Sequence, residues 1–121
     1  MFLVIAIAAA SAAGGLARYG ISHLFHGDAL PWVTVAINVG GSFLLGVLVV
    51  LPADWLSAQS REALGVGLLG GFTTFSTFSV QAFLDFDAGE PGRALLYVTA
   101  SVVLGIGAAA AGFLAARALI H

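Results

Sequence analysis

Residues 70–79 read "GGFTTFSTFS", five hydroxyl side chains, three phenylalanines and two adjacent glycines within an apolar stretch. Hydroxyls donate and accept hydrogen bonds without formal charge. Polar groups inside a membrane are costly and usually functional, so a dense set of them faces protein or a water-filled path. Gly70 and Gly71 weaken a helix where they sit. A break there would free carbonyl oxygens able to hold a cation, as unwound segments do in transport proteins. Phe72, Phe75 and Phe78 recur every third residue beside Thr73, Ser76 and Ser79, so ring and hydroxyl rows run side by side. The plainer alternative is that the hydroxyls only back-bond to carbonyls one turn earlier and the rings only pack.

Two further stretches carry polar groups into apolar surroundings. In "NVGGSFLLG", 38–46, Asn38 is an uncharged amide that either glues helices together or lines a pore, with Thr34 one turn before it on the same face. In "GGLARYG", 14–20, Arg18 either snorkels to the headgroups or forms an electropositive vestibule. Tyr97 and Ser101 lie one turn apart. His23 and His26 make too small a set for a metal site. With no cysteine, disulfides, thiolate metal sites and a cysteine nucleophile are excluded. A neutral, donor-rich lining suits an anion whose hydration shell must be replaced without trapping the ion.

The elements that position these residues follow from composition. The chain has 121 residues, 60% hydrophobic and 8% charged, with mean hydropathy +1.07, too little charge to cover a water-facing surface. Charged residues leave the uncharged stretches 1–17, 29–53, 63–84 and 94–116. A crossing takes roughly 20 helical residues, so four spans are predicted, the first running to about Ser22 through Arg18. No basic residue precedes the first apolar run, which reads as a retained span rather than a cleaved signal peptide. The connections "HGDALP", "PADWLSAQSR" and "DFDAGEPG" are short turns, so residues 1–121 form one transmembrane domain. Trp32 and Trp55 fall at span ends, at headgroup level.

Arginine is the only strongly basic residue type present, and its four copies divide evenly: Arg61 and Arg117 on one side, Arg18 and Arg93 on the other. Without the usual basic bias, insertion in both orientations is expected, and oppositely inserted copies can pair about an axis in the membrane plane. Small residues four apart, such as Ala36 with Gly40, Ser42 with Gly46, Gly67 with Gly71, Ser101 with Gly105 and Ala108 with Gly112, allow close helix approach within one subunit or across a dimer seam. No acid lies at the middle of any uncharged stretch, which leaves a proton-coupled exporter without its exchanging carboxylate. A net charge of −2 offers no basic patch, so no nucleic-acid partner is expected.

These stretches, in this order across a four-span chain, closely resemble the CrcB/Fluc family of fluoride channels over essentially the whole length. The resemblance implies an all-α membrane protein with four transmembrane helices per subunit, a third helix broken near its middle, and an antiparallel, dual-topology homodimer. It implies no enzymatic activity, but a passive, fluoride-selective channel exporting the ion from the cytoplasm through two pores, in the cell (inner) membrane. A structural sodium ion at the dimer centre would be held by the backbone carbonyls of Gly70 and Thr73. Phe75 and Phe78 match pore-lining rings, Ser76 and Thr77 hydroxyls near the ion, Asn38 the pore amide and Arg18 the vestibule arginine. Thr34, Tyr97 and Ser101 match a polar track, whose last hydroxyl is replaced here by Gly105. The rival readings are a small dual-topology multidrug exporter and a non-transporting membrane assembly subunit.

Overall fold

In lipid a backbone must satisfy its own polar groups, so long apolar runs become helices. The computed structural model, which describes residues 1–121 apart from the side chain of Asp28, is all-helical. Helix α1 spans Phe2–His23, and a 3₁₀ turn at Gly27–Ala29 leads into α2, Leu30–Val50. The third span, Ala58–Asp87, begins with α3, Ala58–Glu62, and a π-helical segment, Ala63–Leu69. It continues through one turn, α4, Gly70–Phe72, to α5, Phe75–Asp87. Helix α6, Pro91–Ile120, returns across. Four helical segments are thus long and apolar enough to cross a membrane.

Close backbone approach holds the spans together. The most extensive contact joins α2 to α6. A Cβ on Gly112 would stand 2.1 Å from the Phe43 carbonyl oxygen, and one on Gly46 would stand 2.2 Å from that of Ala109. Helix α1 packs in the same manner on the first half of the third span, where a Cβ on Gly14 would meet Leu68 O at 2.1 Å and one on Gly71 would meet Ser11 O at 2.5 Å. Glycines 46, 67, 71 and 112 therefore pack this chain's own helices together, whereas Gly40 and Gly105 face open space.

Polar caps close the connections. Arg61 donates to the carbonyls of Leu48, Leu51 and Pro52, covering the C-terminal end of α2 with a guanidinium. Arg61→Gln should therefore lower stability by about 1.5–3 kcal/mol, the usual contribution of hydrogen bonds to a charged donor, read as an earlier thermal transition in detergent. Between α5 and α6, Gly89 takes φ +81° while the Glu90 amide reaches back to Asp85 O at 2.9 Å, and Pro91 starts α6. This is a Schellman-type stop followed by a proline at the first helical position.

The adjacent glycines at 70 and 71 are themselves helical, so the break expected at that pair does not fall on it. Gly71 is small because α1 lies against it. The backbone departs from helical dihedrals two residues later, at Thr73 (φ −85°, ψ 158°) and Thr74 (φ −150°, ψ 115°).

Candidate functional site

The extended pair is held by a side chain from another helix. Asn38 on α2 donates Nδ2–H to the Thr74 carbonyl at 3.0 Å and accepts the Thr74 amide on Oδ1 at 2.8 Å. One amide side chain thus satisfies both backbone groups of a residue that a regular helix would have paired internally. Thr74 is also the N-cap of α5, its Oγ1 accepting from the Thr77 amide at 3.3 Å and donating to Thr77 Oγ1 at 3.0 Å. Ser76 Oγ lies 3.5 Å from Thr74 Oγ1 on the exposed side.

The five hydroxyls consequently divide. Thr73 and Ser79 back-bond to Leu69 O and Phe75 O, as the plainer alternative holds, and Thr34 does the same to Leu30 O. Thr74, Ser76 and Thr77 instead cluster at the start of α5. The ring row divides too. Phe72 stays with α4 beside α1, while Phe75 and Phe78 pair on α5 with centroids 5.6 Å apart. Phe75 is 78% exposed.

A groove of about 330 Å³ opens beside this cluster, lined among others by Asn38, Thr73, Thr74, Phe75, Phe78, Ser101 and Gly105. Ser101 Oγ is buried there without a hydrogen-bond partner. Phe78 leans on Tyr97, centroids 5.2 Å apart, and Tyr97 meets Trp32 edge-on at 6.2 Å. Tyr97 is 1% exposed and donates to Gln81 Oε1 at 2.7 Å. Beyond these rings a second cavity, about 220 Å³, is lined by Trp32, Gln81, Asp85, Arg93 and Tyr97 among others. Phe78, which lines the groove, and Tyr97, which lines the second cavity, thus stand between the two.

Arg18 turns toward the third span, its Nε donating to Gly71 O at 3.3 Å, a favourable place for a cation near the C-terminal end of α4. The amides that a continuous helix would aim at Gly70 O and Thr73 O are those of Thr74 and Thr77, taken respectively by Asn38 Oδ1 and Thr74 Oγ1. Both carbonyls are therefore without their helical donors, as a carbonyl-held cation would require. No cluster of three or more His, Cys, Asp or Glu side chains occurs among the described residues.

Gln81 and the Asp85–Arg93 pair were not singled out by the sequence. Gln81 carried a signal, being the only side-chain amide in the uncharged stretch 63–84 and one turn from Phe78. Asp85 looked like the edge of a loop, yet it is buried.

Four apolar spans with little chain between them, and uncharged polar groups gathered around paired rings, define a small polytopic membrane protein of the transport kind. A family model described as "CrcB-like protein, Camphor Resistance (CrcB)" matches residues 5–113. The chain belongs to that family. It is 43% identical to a protein of Rhodospirillum centenum over 99% of both chains, and 44% identical to one of Geobacter sulfurreducens over 98% of this chain and all of that one. A Thermus thermophilus protein is 41% identical over 94% of each chain. All three are named "Fluoride-specific ion channel FluC". The family is one of ion channels, not of enzymes.

Proposed function

We propose that the chain is one subunit of a passive, fluoride-selective channel of the cell (inner) membrane that lets the ion leave the cytoplasm. The observation that carries this reading is Ser101 Oγ, a buried hydroxyl that the subunit leaves unpartnered, in a groove shared with Asn38, Phe75 and Phe78. A buried polar atom without a partner points to a ligand that supplies one. Fluoride is small and tightly hydrated, so its entry needs several donors at once. Ser101, Ser76, Thr77 and the Asn38 amide supply hydroxyl and N–H donors, and the edges of Phe75 and Phe78 offer the positive part of the ring quadrupole. Thr34 and Tyr97 extend the same track toward the second cavity, and Arg18 makes the approach electropositive. The names of the relatives agree with this choice of ion.

The exposed ring of Phe75 at mid-span calls for cover, and in this reading a second copy, inserted the other way up, provides it and completes two pores. Thr73 and Thr74 then act as a functional break in the third helix. The carbonyls of Gly70 and Thr73 would hold a sodium ion at the centre of the pair, where its charge would tie the two copies together. The exporter reading lacks a mid-span carboxylate, since Asp85 lies two residues from the end of the third span and is paired with Arg93.

Reconstitution of the purified protein alone in liposomes tests the reading, with fluoride efflux followed by an ion-selective electrode and chloride as the control. Silent liposomes would favour an assembly subunit, and drug-stimulated proton flux an exporter. In the same assay Phe75→Ile should slow fluoride about tenfold, equivalent to ~1.4 kcal/mol of barrier, with dimer formation retained. Unchanged flux would remove Phe75 from the path.

A further inference from the structure

The smaller cavity holds a charge arrangement that the proposed path does not yet use. Asp85 is 7% exposed, and its Oδ1 accepts from Arg93 Nη2 at 2.7 Å and from Arg93 Nε at 3.1 Å. The Arg93 side chain is 47% exposed against 10% for that of Asp85, so the pair is oriented, guanidinium outward and carboxylate inward. Trp32, Gln81 and Tyr97 line the same cavity, and Tyr97 touches Phe78. The pair therefore lines a hollow that adjoins the ring-lined track through Tyr97 and Phe78.

We propose that this cavity is a mouth of the fluoride path, and that Asp85 sets how strongly the mouth gathers anions by offsetting the charge of Arg93. The inference rests on the channel reading. An anion arriving from water meets the guanidinium first, which raises its local concentration, whereas the carboxylate behind it keeps the ion from lodging there. A mouth that must pass ions on has to attract them weakly enough to release them. Replacing Asp85 by Asn removes one negative charge from the mouth while leaving an Oδ1 acceptor for Arg93, so the contact between α5 and α6 survives.

Two readouts test this, one of which needs no ion flux. In liposomes, Asp85→Asn should lower the half-saturating fluoride concentration about threefold at low ionic strength and much less at high salt. Arg93→Gln should raise it, and Arg93→Lys should leave it near the parent value. Separately, in a Trp55→Phe background the remaining Trp32 reports the local anion concentration through collisional quenching by iodide. Asp85→Asn should raise the quenching constant about twofold or more and Arg93→Gln should lower it, again only at low salt. If neither quenching nor half-saturation moves while the variants merely unfold earlier, the pair is a clasp between α5 and α6 and the proposal fails. A parent protein that does not pass fluoride overturns the channel reading instead, whatever the quenching shows.

Discussion

Asn38→Ala will cost about 2–4 kcal/mol of stability and reduce fluoride efflux to near background. The side chain meets both the amide and the carbonyl of Thr74, two backbone groups with no helical partner to fall back on. The Thr74 groups are half-buried on the groove wall, and leaving a donor or acceptor unsatisfied costs at most the ~1–3 kcal/mol each of a fully buried one. The variant is expected to lose its thermal transition by several degrees in detergent and its flux in liposomes together, because one contact holds both the backbone and the groove wall. Asn38→Asp separates the two halves of the clamp. It keeps an acceptor for the Thr74 amide but sets a carboxylate against the Thr74 carbonyl, so it should be worse than alanine. An Asn38→Ala protein that melts and conducts like the parent would mean that the clamp is idle.

The second large effect is expected where α2 packs against α6. Gly112→Ala places a Cβ 2.1 Å from the Phe43 carbonyl oxygen, a backbone atom that cannot swing aside. Helices α2 and α6 would have to separate along their most extensive contact, forfeiting packing over several turns, so the cost should exceed the ~1–3 kcal/mol typical of overpacking. Size-exclusion chromatography of the detergent extract should show little monodisperse protein. Gly105→Ala is the matched control: it adds the same methyl on the same helix with nothing within 4 Å, so the subunit should fold as well as the parent. Equal yields for both variants would show that α2 and α6 do not approach as closely as this packing requires.

Much of the architecture was legible in the residue order, because hydropathy sets the spans and lipid permits few alternatives. The uncharged stretch 29–53 anticipated α2, Leu30–Val50, closely. The position at which the third span leaves helical geometry was less legible. Glycine propensity pointed to Gly70 and Gly71, but local preference was overridden by tertiary contact: α1 needs Gly71 small, and the Asn38 amide offers its partners at Thr74. Nor does spacing reveal that Thr73 and Ser79 spend their hydroxyls on their own helix while Thr74, Ser76 and Thr77 do not, since that depends on where the helix restarts. Asp85 escaped notice because a charge near a span end resembles an interfacial residue until its partner, eight positions on, folds back against it.

The placement of Thr73 and Thr74 carries a geometric consequence. Fifteen residues of the third span precede the pair and thirteen follow it, so the irregular step lies almost halfway along the span. The carbonyl end of one helical stretch there meets the amide end of the next, setting a negative and a positive pole side by side with little formal charge. A feature halfway along a span would keep its level if the molecule were turned upside down, so in the proposed pairing of oppositely inserted copies both would present the same two poles at the same level.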